Sequence, residues 1–102
     1  LSWCGGLTEG LEFASLAKSN AVKIAPHDCT GPVGLTIGAH LSTADSNAVI
    51  QETVRSALRT WYPHLVSGLP SVEAGFLTVN AKPGLGLSLQ EDFKTDAMSF
   101  QS

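Results

Sequence analysis

The chain has 102 residues, 43% of them hydrophobic and 15% charged, with a formal net charge of −3, which suits one modest domain. Its six basic residues are scattered and form no phosphate-tracking stripe, so no nucleic-acid partner is expected. No apolar run has the length of a membrane span and the opening residues lack the zones of a signal peptide, so no membrane contact and a cytoplasmic location are expected.

In chain order, residues 1–4 read as the tail of a strand ended by Gly5 and Gly6. Thr8 is placed to cap a helix, Glu9 suits its positive end, and residues 11–18 are good helix formers. Phe13, Leu16 and Ala17 share one face at i, i+3 and i+4, and Asn20 is a natural left-handed stop. Residues 22–25 predict a short buried strand. Pro26 ends it, because proline has no N–H for a ladder and fixes its own φ. Gly31-Pro32 opens a second helix over 32–43, with proline at its favoured first position. Val33, Ile37, Leu41 and Ala44 form its apolar stripe. Gly34 and Gly38 cost that helix about 1 kcal/mol each against alanine, which predicts close backbone packing there. Asp45-Ser46-Asn47 is a turn cluster, and 48–51 predicts a second short buried strand. The β-α-β-α-β order argues for parallel strands with right-handed crossovers.

Beyond Glu52 the rhythm changes. Val54, Leu58, Trp61 and Leu65 fit a helical face, interrupted by Pro63. Residues 67–70 read as a loop. Residues 76–79, a turn over 80–84 and the alternation Leu85, Leu87, Leu89 predict an antiparallel pair with one buried face. From Lys94 nothing is periodic, so 94–102 is expected to be a frayed tail.

Two ionisable side chains, His27 and Glu52, fall at the carboxyl ends of the two buried strands. Parallel neighbours lie about 4.8 Å apart, so both groups could share one pocket. That suits acid–base chemistry or paired hydrogen bonding to a polar substrate, and histidine titrates near neutrality. The plainer alternative is that His27 caps a turn and Glu52 is a surface carboxylate. Cys4 and Cys29 form neither a CxxC pair nor a disulfide framework and read as free thiols. With His27 and Asp28 they match no standard zinc spacing, and Cys29 has no second histidine placed to activate it. Asp28 is expected to brace the turn or the helix start. The 30–34 segment could hold an anion at a helix N-terminus, although a tight turn explains its glycines equally well. Arg55 and Arg59, four residues apart, could clamp a carboxylate or lie on a solvated face. His40 and His64 sit in helical patterns and read as structural or surface residues. Trp3 belongs either to the pocket mouth or to the core.

Four segments stand in a recognisable order: Trp-Cys-Gly-Gly-Leu-Thr-Glu-Gly, Ile-Ala-Pro-His-Asp-Cys-Thr-Gly-Pro, Asn-Ala-Val-Ile-Gln-Glu and Lys-Pro-Gly-Leu-Gly. In order and spacing they resemble the mandelate racemase subgroup of the enolase superfamily, most closely its sugar-acid dehydratases of the galactonate type. The resemblance implies an α/β fold, the C-terminal fragment of a (β/α)7β TIM-type barrel. Residues 1–67 would run from the end of strand six to beyond strand eight, and 68–93 would join the capping domain. The family histidine at the end of strand seven matches His27, a general base or acid at the carbon beside the substrate carboxylate. The family glutamate at the end of strand eight matches Glu52, which would hydrogen-bond the enediolate oxygen.

The resemblance also implies Mg²⁺, with its ligands upstream of Leu1 and none within this chain. The family's Asp-x-x-x-x-Gly-Gly pattern, which orients that histidine, would put its aspartate one residue before Leu1. The only methionine is Met98, and a piece of a longer protein is expected. Such a barrel needs roughly 250 residues, so the fragment alone should be inactive. Whole, the protein is expected to be a homo-oligomeric lyase of carbohydrate catabolism acting on a sugar acid. The rivals are a racemase or epimerase of the same superfamily and a small non-catalytic α/β interaction module.

Overall fold

The computed structural model describes residues 1–93. Two helices of equal length dominate the first half, α1 (Leu7–Ser19) and α2 (Pro32–Ala44). Residues 1–4 form a turn rather than the tail of a strand: the Leu1 carbonyl accepts the N–H groups of Cys4 at 3.3 Å and Gly6 at 3.1 Å. Gly6, at φ 98°, caps α1 in place of Thr8, since the reversal there requires a left-handed residue. At the other end the left-handed position falls on Ala21 (φ 56°), one residue after the expected Asn20. Val22 N–H returns to the Ala17 carbonyl at 2.8 Å and Ala21 N–H to Lys18 at 3.1 Å, the paired closure of a Schellman end. Asn20 contributes its side-chain amide instead, donating to the Leu16 carbonyl at 2.9 Å.

The apolar face read for α1 is not the face it buries. Gly10 and Ala14 are buried, whereas Phe13 and Leu16 are 57% and 62% exposed. Small residues are selected because a Cβ on Gly10 would meet the Leu1 side chain at 2.2 Å and Leu41 of α2 at 3.8 Å. The buried stripe of α2 is likewise rotated from the expected one. Leu35, Thr36, Ala39 and Leu41 are buried and Val33 is exposed. Burial of Thr36 leaves nothing unmatched, because its hydroxyl donates to the Pro32 carbonyl at 2.8 Å. Gly38 does provide close approach: a Cβ there would lie 2.9 Å from Gln51 Oε1.

The two expected strands run parallel, as their order requires, but reduce to one bridge, Ile24 with Ala48. They are not buried on both faces: Val22, Val49 and Ile50 are 56%, 61% and 65% exposed. Asn47 ties the turn before the second segment back to the first. Its side-chain amide reaches the Val22 carbonyl at 2.5 Å and its N–H reaches the Asp45 carboxylate at 2.8 Å. Lys18 pairs with the same carboxylate at 3.7 Å.

After Glu52 the expected helical face is split into α3 (Arg55–Arg59) and α4 (Tyr62–Leu65). The break lies at Thr60 and Trp61. Pro63 sits in the first turn of α4, where its missing N–H costs nothing. The main core cluster is here: Leu35, Ala57 and Tyr62, with Val54, Leu58, Leu69 and Leu77 packed against it.

Four short strands follow, β1 (Val66–Ser67), β2 (Ser71–Glu73), β3 (Phe76–Thr78) and β4 (Ser88–Leu89). Antiparallel pairing is present but with different partners from those expected. β3 pairs with β2, Glu73 opposite Phe76, and β4 pairs with β1, Leu89 opposite Val66. The β2–β3 hairpin closes through Ala74 (φ 50°) and Gly75 (φ 83°), a two-residue loop whose twist matches the strands. Asn80 then clasps two loops, donating to the carbonyls of Gly68 at 2.6 Å and Gly86 at 3.2 Å. The alternating leucines do not form one buried face, Leu89 being 50% exposed. The expected frayed tail, 94–102, lies outside the described residues.

Candidate active site

His27 and Glu52 meet. Nδ1 of the imidazole contacts Oε2 of the carboxylate, with both side chains about half exposed. What brings them together is a slip in the register of the parallel segments. Ile24 donates to the Asn47 carbonyl at 3.2 Å and accepts from Val49 N–H at 3.0 Å, which sets Ile24 opposite Ala48. Continued regularly, that pairing would place Gln51 opposite His27. The next bond in a regular ladder would run from the N–H of residue 26 to the Val49 carbonyl, and Pro26 has no N–H to give. Released from it, the second segment advances one residue, and the Pro26 carbonyl accepts from Glu52 N–H at 3.2 Å. A one-residue slip exchanges the faces of every following side chain. Glu52, not Gln51, therefore comes opposite His27.

Gln51 turns the other way and packs against Gly38. Its amide donates to the Pro26 carbonyl at 3.1 Å and its Oε1 accepts from Ser42 of α2 at 3.0 Å. Asp28, the residue after His27, is 1% exposed and its side chain points into the core. Its Oδ2 accepts Val54 N–H at 2.9 Å and its Oδ1 accepts the Tyr62 hydroxyl at 3.0 Å. Burial, reinforced by the carboxylate of Asp28, pushes the Tyr62 phenol up to about 12. Asp28 thus braces more than the turn expected of it. It ties the segment after His27 to the segment after Glu52 and to the core. Tyr62 carries no signal in the sequence that would pair it with a residue 34 positions earlier.

Trp3 is 84% exposed and belongs to no core. A cavity of about 220 Å³ beside His27 is lined by Leu1, Cys4, Phe13, Ile24 and Leu41 rather than by Trp3. Cys29 is exposed and both cysteines are free. Among the described residues no three histidine, cysteine or acidic side chains gather to hold a metal. Near the pair, Asp28 is already engaged by two donors, which leaves only His27 and Glu52. Arg55 and Arg59 line an open cleft of about 440 Å³ with Thr53, Leu58, Leu69 and Val72, and neither His27 nor Glu52 is part of its lining. His40 lies on α2, its Nε2 3.4 Å from the Leu85 carbonyl, and His64 is exposed on α4. Among the described residues, no helix is long and apolar enough to cross a membrane.

Helices alternating with parallel segments, and ionisable side chains at the segments' carboxyl ends, are the arrangement of an α/β fold. Residues 1–93 match the family model described as Enolase C-terminal domain-like, and the chain belongs to that family, with its TIM-barrel domain fold. It is 35% identical over 95 residues to the D-galactonate dehydratase family member RspA of Pantoea ananatis, covering 89% of this chain and 22% of that protein. It is 32% identical over 97 residues to D-galactonate dehydratase of Klebsiella pneumoniae, covering 90% and 25%. A mandelate racemase subgroup enolase from Agrobacterium tumefaciens superposes with a TM-score of 0.86 at 47% identity, over 93% of this chain and 26% of that one. The chain thus spans about a quarter of the length of the relatives it matches.

Proposed function

We propose that this chain is the acid–base portion of a sugar-acid dehydratase, a lyase completed by residues outside it. The observation that carries this reading is the His27–Glu52 contact at the carboxyl ends of two parallel segments. The names of the dehydratase relatives support the substrate class.

A proton on the carbon beside a carboxylate is weakly acidic, because its removal adds charge to an existing anion. His27 takes that proton, and the C–H electron pair passes into the enediolate. Glu52 donates a hydrogen bond to the enediolate oxygen as charge builds there. A carboxylate has no hydrogen to donate, so this hydrogen bond requires a proton on Glu52 once substrate is bound. As the enediolate collapses, the C–O bond breaks and the β-hydroxyl leaves as water, taking the proton from the His27 imidazolium, which returns the imidazole to its starting state. The enol product becomes a 2-keto-3-deoxy acid. Enolase-superfamily members generally use Mg²⁺, which as a Lewis acid lowers the cost of the enediolate. On this reading its ligands lie outside the chain, since His27 and Glu52 alone make no cage.

The test is product analysis on a panel of sugar acids, using the full-length protein that contains this chain. Formation of a 2-keto-3-deoxy acid by wild type and its loss in His27→Asn are expected. Inversion at the α-carbon with the hydroxyl retained would make the protein a racemase or epimerase instead.

A further inference from the structure

We propose that Asp28 and Tyr62 are positioning residues for the His27–Glu52 pair; this rests on reading that pair as the acid–base site. Within this chain His27 and Glu52 are 59% and 51% exposed at their side chains, so packing among its own residues does little to place them. This chain's contribution to their geometry comes from the backbones that carry them, and those backbones are joined on both sides of the pair. On one side the Pro26 carbonyl holds Glu52 N–H at 3.2 Å. On the other, the Asp28 carboxylate holds Val54 N–H at 2.9 Å. After the slip, the residue that would accept Val54 N–H in a continued ladder is Asp28, and its side chain does so in place of its main chain.

Tyr62 fixes that side chain. Its ring is 1% exposed in the core with Leu35 and Ala57, and its hydroxyl reaches Oδ1 at 3.0 Å. Stability alone does not explain a carboxylate here. Burying one carries a large desolvation cost before its partners compensate, and an apolar side chain would fill the space without that cost. What an apolar side chain cannot do is cross to Val54 N–H. The brace therefore transmits the rigidity of the core to the two exposed side chains, and a misplacement of about 1 Å at such a pair is enough to slow turnover on the order of a hundredfold.

The experiment compares Tyr62→Phe, Asp28→Ala and Asp28→Asn in the full-length protein. Turnover is measured alongside the imidazole ¹⁵N signal of His27, assigned by its loss in His27→Asn. His40 and His64 serve as references. Tyr62→Phe and Asp28→Ala are expected to move the His27 signal toward its position in Glu52→Gln and leave His40 and His64 in place. They should lower kcat about tenfold or more with KM within about threefold. Asp28→Asn, which keeps an oxygen for Val54 N–H and an amide for the Tyr62 oxygen, should restore both readouts. If both disruptive variants lower only the melting temperature, leaving the His27 signal and kcat at their wild-type values, the positioning role is overturned. If Asp28→Ala does not fold, Tyr62→Phe decides by the same readouts. If wild type turns over no sugar acid, the proposed function fails, and the imidazole signal alone decides the brace.

Discussion

The Glu52 N–H is bound to the Pro26 carbonyl at 3.2 Å, one residue beyond where the Ile24–Ala48 pairing would lead. This single displacement sends the carboxylate of Glu52 to His27 and the amide of Gln51 to α2. It predicts that a carboxylate at position 51 cannot replace one at 52. The swap Gln51→Glu with Glu52→Gln should recover none of the turnover lost in Glu52→Gln. It should also destabilise the fold by about 1–3 kcal/mol, because a carboxylate at 51 would face the Pro26 carbonyl with no proton to donate. Kinetics and a denaturant melt of the single and double variants check both halves.

His27 is expected to matter for chemistry and not for folding. Its side chain is more than half exposed and its one hydrogen-bond partner among the described residues is Glu52. His27→Asn should lower kcat by about 10²–10⁴, the range of a lost general acid or base. Its melting temperature should stay within a degree or two of wild type, read by calorimetry on the assayed sample.

Tyr62 ties stability to alkaline pH. Burial and the neighbouring Asp28 carboxylate raise its folded-state pKa from the ordinary 10.0 to about 12, so the folded state favours the neutral phenol. The resulting stabilisation is fully present below pH 10 and is lost as pH rises from 10 through 12. The tyrosinate absorbance of wild type minus that of Tyr62→Phe should show one group titrating near 12. The gap in stability between the two proteins should shrink over the same interval.

The β2–β3 hairpin offers a stabilising change. Ala74 sits at φ 50° immediately before Gly75, a conformation that costs an L-residue with a Cβ roughly 1–2 kcal/mol. Asparagine tolerates it better, and Asn-Gly is a preferred pair for such a turn. Ala74→Asn should raise stability by about 0.5–1 kcal/mol in a denaturant melt, with turnover unchanged.

Much of the framework was legible because it is written locally. Gly31-Pro32 marks the start of α2, Asp45 to Asn47 marks the turn after it, and short connections imply parallel segments. The positions of His27 and Glu52 after apolar runs were readable for the same reason. That the two could share a pocket was readable from the spacing of parallel neighbours. The slip that turns Glu52 toward His27 and Gln51 away was not, because it is set by the missing N–H of Pro26 and visible only once the segments are paired. Asp28 and Tyr62 were out of reach as partners, being joined across 34 positions by one hydrogen bond. The hairpin was misassigned because alanine at position 74 gives no turn signal. Phe13, Leu16, Val49 and Ile50 have the pattern of buried residues yet are exposed. Apolar periodicity shows that a face favours cover, not what covers it.

The most direct test of the central claim is exchange of the α-proton. The full-length protein, incubated with a sugar-acid substrate or its 2-keto-3-deoxy product in D₂O, is compared with His27→Asn and Glu52→Gln. Wild type should move hydrogen between the carbon skeleton and solvent during turnover. His27→Asn should lose that transfer entirely, and Glu52→Gln, whose amide is a far weaker acid than the carboxyl group it replaces, should slow it severely while substrate still binds. Undiminished exchange in His27→Asn would contradict the account, because the proton would then be moved by a residue outside the pair.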